Sequence, residues 1–150
     1  MRVRAPASFR SDRSGGSAVE FALVLMPLLM LMFGIIEYGR LLWTIEALQQ
    51  TAIAGARCMG IVNQSCGSGG SFSSASTTSY IQKVASGWGV TVPSKGITLN
   101  QNASCGGETG FSEVSLTVKF VSVVPKIVLM PAGGQNVTAT ACFPNNPPPT

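Results

Sequence analysis

Residues Phe21 to Ile36 carry no charged side chain, and this run limits the folds open to the chain more than any other feature. An apolar segment of that length must be covered all round, either by a large protein core or by lipid. Ser17 to Ile36 is about the 20 residues that a helix needs to cross ~30 Å of hydrocarbon. A secretory signal peptide shares the basic start and apolar middle, but this run is longer than an ordinary h-region and no A-x-A-like site closes it. The segment therefore reads as a retained membrane helix. Glu20 stands just inside its edge, where an isolated charge costs up to roughly 2.5–3.5 kcal/mol at a helix centre. Pro27 removes one backbone donor and is expected to kink the helix.

With 150 residues, the chain has room for one domain, or for a small domain plus an anchor. The net charge of +4 does not describe a nucleic-acid surface. Arg2, Arg4, Arg10 and Arg13 precede the apolar run, where they form a positive-inside flank, and the other basic residues are scattered. The chain has no histidine, which removes the commonest general base and the commonest zinc ligand. Asp12 is its only aspartate, and no carboxylate cluster, glycine-rich phosphate loop or metal-ligand spacing is present. No catalytic residue, metal or cofactor is expected.

Cys58, Cys66, Cys105 and Cys142 all follow the apolar run and include no C-x-x-C pair. In an exported domain they read as two disulfides, for which three pairings exist. Cys58–Cys66 with Cys105–Cys142 is preferred, because each bridge then joins segments expected to be neighbours.

Helical patterning continues past the membrane segment. Tyr38, Leu41, Leu42, Ile45, Leu48, Ala52, Ala56 and Met59 recur at three- and four-residue steps, with Glu37, Arg40, Glu46, Gln49, Gln50 and Arg57 mostly on the other sides. The helix is expected to run from Ser17 to about Met59 and to stop at Gly60. Asn63 to Thr78 reads as a flexible serine- and glycine-rich loop. Thr77 to Gly87 reads as a short helix capped by Thr77 or Thr78. Ile97–Ala103, Glu113–Val121 and Val137–Phe143 alternate with period two, with a turn at Gly106–Gly110 and an apolar loop at Pro125–Gly134. The expected class is α+β: a long transmembrane helix leading into a small extracytoplasmic domain with a short helix and about three antiparallel strands. The expected divisions are 1–15, 16–60 (17–36 across the membrane and 37–60 amphipathic), 61–143 and a mobile proline-rich tail at 144–150.

Gly15, Gly16, Glu20 and Phe21 together resemble the processing site of type IV pilin-like proteins. Gly34-Ile35-Ile36-Glu37-Tyr38-Gly39-Arg40, Pro27 and Gly55-Ala56-Arg57 narrow the resemblance to TadE-like minor pseudopilins of tight-adherence (Tad/Flp) pilus systems. The resemblance implies that a prepilin peptidase removes residues 1–15 and leaves Glu20 fifth in the mature chain. A cut after Gly16 would lose that offset. It also implies assembly with a major Flp-type pilin, other pseudopilins and the inner-membrane pilus machinery. The new amine of Gly16 and a neighbouring subunit's Glu20 can then pair and set axial register. Glu37 and Arg40 can pair along the helix, and are expected to mark the outer membrane interface with Tyr38 and Trp43 as an aromatic belt. Gly34, Glu37, Tyr38, Gly39, Arg40, Gly55 and Arg57 are helix-interface candidates. Gly34 and Gly39, with Ala52, Gly55 and Ala56, would allow close helix approach, and entry into the globular domain explains the distal three equally well. The competing reading is an uncleaved, membrane-anchored extracytoplasmic binding module.

Overall fold

The computed structural model describes residues 15–68, 71–122 and 135–145. The expected leader up to residue 14, the whole of the Pro125–Gly134 loop and the last five residues lie outside these.

Helix α1 spans Gly16–Gly60, about 68 Å at 1.5 Å per residue, and passes through Pro27 without ending. Its two halves have different surroundings. From Gly16 to Ile36 nearly every side chain is exposed. From Ala47 onward, Ala47, Leu48, Thr51, Ala52, Gly55, Ala56, Cys58, Met59 and Gly60 are buried against the rest of the chain. This face differs from the expected stripe at its lower end. Tyr38, Leu42 and Ile45 are exposed, while Glu37 is buried and Leu41 packs against the core. Small residues decide the facing side, because Ala47, Ala52, Gly55 and Ala56 let neighbouring elements approach the helix axis closely.

Helix α1 ends in a Schellman arrangement. The Asn63 N–H bonds the Cys58 carbonyl at 3.1 Å and the Val62 N–H bonds the Met59 carbonyl at 3.1 Å. Val62 occupies the left-handed position, at φ 46°, that glycine usually takes. The expected loop that follows contains a two-residue hairpin, with β1 (Gly67–Ser68) paired to β2 (Ser71–Phe72). Helix α2 then runs Ser74–Gly87 and starts earlier than expected, because Ser73 is the cap and accepts from the Ser76 N–H. Thr77, read as a cap, is buried inside the helix, with its hydroxyl 3.1 Å from the Cys66 carbonyl and 2.9 Å from that of Ser73.

Strands β3 (Ile97–Cys105), β4 (Glu108–Phe120) and β5 (Gln135–Pro144) form an antiparallel sheet in the order β3-β4-β5. Strand β4 begins five residues before the expected Glu113 because the turn needs only Gly106 and Gly107. Both have positive φ, as a two-residue hairpin turn requires. One sheet face carries Val114, Leu116, Phe120, Val137, Ala139 and Ala141, which meet Leu48, Ala52, Ala56 and Met59 of α1 and Ile81 and Ala85 of α2 in one core. The other face is polar, with Thr117 bonded to Thr138 and Thr140 to Ser115 across strands. The start of the expected tail is ordered: Pro144 belongs to β5, and Asn145 bonds Ser112, Gln101 and Gly110.

The disulfides join Cys58 to Cys66 and Cys105 to Cys142. The first fixes the end of α1 to the segment leading into α2. The second links the two edge strands, which do not pair with each other. Their sequence separations of 8 and 37 imply loop-closure stabilisation of about 2.6 and about 4 kcal/mol.

Gly55 shows how tightly α1 and α2 meet. A Cβ there would lie 2.9 Å from Ile81 Cγ1, whereas one on Gly39 would meet nothing within 4 Å. Gly55→Val should therefore destabilise the domain by about 1–3 kcal/mol through overpacking. Gly39→Ala should be neutral or up to ~1 kcal/mol stabilising through helix propensity. Thermal unfolding of the detergent-solubilised chain compares the two. Equal melting temperatures would contradict this packing.

Candidate functional site

The sequence-predicted positions fall into three levels along α1. At the lowest level, Gly15 caps the helix with ordinary right-handed backbone, and Cβ atoms on Gly15 or Gly16 would meet nothing within 4 Å. The fold itself thus places no demand for glycine at either position. Glu20 sits one turn into the helix, exposed, with no ion-pair or hydrogen-bond partner among the described residues, and Phe21 beside it is also exposed. From there through Ile36 nearly every side chain is exposed, with Leu25 and Gly34 half-buried. This is a candidate membrane span by length and composition.

The middle level is the junction with the domain. The Glu37 carboxylate accepts a hydrogen bond from Arg40 Nη1 at 2.7 Å, and Glu37 is only 4% exposed. Sequence reading placed this pair on the helix surface. Burial of Glu37 corrects that: it shares the stripe of Leu41, Leu48 and Ala52, one turn below the point where the sheet meets the helix. The Arg40 guanidinium lies 5.5 Å from the centre of the Phe120 ring at the end of β4, in cation–π range. Trp43 also has a partner in the domain. Its indole N–H donates to the Trp88 carbonyl at 3.0 Å, and the two rings meet edge to face at 5.7 Å. Trp88 and Phe120 were not identified as site residues. Their only signal was that an aromatic residue closes each of two apolar segments.

The upper level is consumed by the domain itself. Gly55 packs on Ile81, and Gly60 lies where a Cβ would come within 2.7 Å of Phe143 Cδ1 and 2.8 Å of the Pro144 carbonyl oxygen. These glycines serve internal packing. Arg57 is exposed and lines a cavity of about 400 Å³ with Gln50, Ile53 and Tyr80. A larger groove of about 760 Å³ runs along α2 past Ser76, Ser79 and Lys83. Neither contains a carboxylate. Gly34 is half-buried and Gly39 faces open space. The remaining helix face carries Tyr38, Leu42, Ile45 and Ile53, all exposed, and continues the apolar surface of the span.

The buried Glu37 makes the junction sensitive to its cation. Arg40→Met retains the aliphatic stem but removes the guanidinium that bonds the carboxylate, with an expected loss of about 1–3 kcal/mol. Adding Glu37→Gln should recover part of that loss. Unfolding midpoints of the single and double variants measure the coupling, and additive effects would show that the pair is not coupled.

Comparison with known families adds one match. Residues 15–57 fit the family model described as TadE-like protein, which covers α1 to its last turn and stops before the sheet. No curated protein and no solved structure matches the chain. Over its N-terminal helix the chain is similar to TadE-like proteins, a match consistent with a protein of Tad pilus systems.

Proposed function

We propose that this chain is a minor pilin-like subunit that a prepilin peptidase cuts after Gly15 and that helps assemble a Tad-type pilus, in initiation or at the tip. The observation that carries this reading is the division of α1. Its own domain covers one face from Glu37 upward, while nearly all of the lower half and the Tyr38–Leu42–Ile45–Ile53 side are exposed. Lipid covers such a surface before assembly, and neighbouring helices cover it afterward. Van der Waals packing and interhelical hydrogen bonds drive association in that setting.

The arginine-rich flank before the span stays in the cytoplasm by the positive-inside rule, which directs the domain across a bacterial inner membrane. The two disulfides suit an oxidising compartment. Gly15 and Gly16 are unconstrained by the fold but supply the small residues that the peptidase site takes in pilin-like proteins. Cleavage creates a cationic amine on Gly16, and Glu20 has no partner among the described residues, so the two can pair between neighbouring subunits. The major Flp-type pilin, other pseudopilins and the inner-membrane assembly machinery are the corresponding partners. The protein acts as a substrate and a building unit, and the reading requires no catalysis of its own.

Intact mass and N-terminal sequencing of the chain, expressed with and without the cognate prepilin peptidase, test this. The expected result is a peptidase-dependent terminus at Gly16. The Glu20→Ala variant should insert in the membrane normally but be depleted at least about tenfold from sheared pili, the equivalent of ~1.4 kcal/mol. An unchanged Met1 terminus in both samples would favour the anchored binding module instead.

A further inference from the structure

The uncharged run of α1 ends at Ile36, and the domain reaches down almost to that point. Phe120 lies against Arg40, and Trp88 lies against Trp43, so the lower edge of the domain is level with Arg40–Trp43. These positions are four to seven residues past Ile36, about 6–10 Å along the axis. The headgroup layer extends roughly 5–8 Å beyond the hydrocarbon on each side. The base of the domain therefore meets the outer headgroup layer.

The surface at this level has the composition of a membrane interface. Tyr38, Trp43, Trp88 and Val121 are 58%, 56%, 37% and 61% exposed. Arg40 and Lys119 supply cations there; Glu37 is buried in its ion pair, and the exposed Glu46 stands about one turn above Trp43, away from the span. The far end of the sheet has the opposite character. Glu108 follows the Gly106–Gly107 turn and Glu113 pairs with Cys142, both remote from the Phe120–Gln135 end of the sheet. Aromatic rings and cations face the bilayer, and the sheet's acids face away. Tryptophan and tyrosine favour this depth because one part of the ring is apolar and the other bonds water or headgroups.

We infer that the base of the domain docks on the outer leaflet, with Trp88 and Val121 joining Tyr38 and Trp43 in the headgroup layer and Arg40 and Lys119 near lipid phosphates. The inference rests on α1 spanning the membrane and not on pilus assembly. It gives the domain a second membrane contact besides its helix, which restricts the tilt of α1 and must be released when the subunit leaves the bilayer.

Trp43 and Trp88 are the two tryptophans of the chain, so fluorescence reads this surface directly. The full-length chain is reconstituted in phosphatidylcholine–phosphatidylglycerol vesicles containing lipids brominated near the headgroup. In Trp43→Phe, which leaves Trp88 as the reporter, emission should fall at least twofold. In Trp88→Phe, Trp43 should be quenched similarly. Val121→Asp, an exposed substitution that the fold tolerates, should reduce quenching of the wild-type tryptophan pair about twofold while its circular dichroism stays unchanged. Quenching of Trp43 with none of Trp88, or an unaltered response in Val121→Asp, would overturn the docking and leave the span intact. No quenching of either tryptophan would overturn the span and the docking together.

Discussion

The packing of α1 against the sheet is the interaction on which the rest of the structure depends. Strands β4 and β5 present Val114, Leu116, Val137 and Ala139 on one face, and α2 presents Ile81 and Ala85, yet these elements have no common core without Leu48, Ala52, Ala56 and Met59 of α1. Each fully buried aliphatic side chain contributes roughly 1.5–3 kcal/mol relative to exposure, so the helix brings a large part of the domain's driving force. The same helix continues downward as the candidate span. Candidate span and core are therefore one element, and the domain cannot move relative to the span without bending α1 or carrying it along.

The junction between the two halves adds a polar lock. Glu37 is buried about one turn below the level at which Phe120 meets the helix, and Arg40 links its carboxylate to the Phe120 ring. A buried carboxylate is costly unless paired. Its placement there favours specificity of docking over raw stability, because any shift of the sheet along α1 would move Phe120 away from Arg40. The Trp43–Trp88 contact fixes the other side of the junction, at the end of α2. Together they hold the domain at a set height and rotation on the helix. An assembly that stacks subunits by helix register requires both to be constant.

Much of this was legible in the residues because the relevant signals are local. The uncharged run predicted the span, the three- and four-residue recurrence predicted the long helix, and period-two alternation predicted the strands. What was misread depended on tertiary contact. The lower part of the helix stripe was assigned by hydrophobicity to Tyr38, Leu42 and Ile45, but the domain selects the face with small residues, which brings Glu37 inside. Thr77 resembles a cap in sequence, yet Ser73 holds that role, because the Cys58–Cys66 bridge and the small hairpin bring the chain to α2 one turn earlier. The turn between β3 and β4 looked longer than it is, because Gly106 and Gly107 alone suffice for reversal. Gly60 ends the helix as expected, and of the two readings open for Gly55 the structure shows entry into the domain, since Gly55 makes room for Ile81 and Gly60 for Phe143.

The central claim is that one unbroken helix serves as membrane anchor and domain core. Amide hydrogen exchange on the full chain in lipid nanodiscs, resolved along α1, tests it most directly. Continuous protection from Phe21 through Met59, slowest at Leu48–Met59 where the domain's core lies and still high across Ile36–Thr44, is the predicted result. Rapid exchange confined to Gly34–Arg40 would mean a hinge between anchor and domain, and would contradict the account.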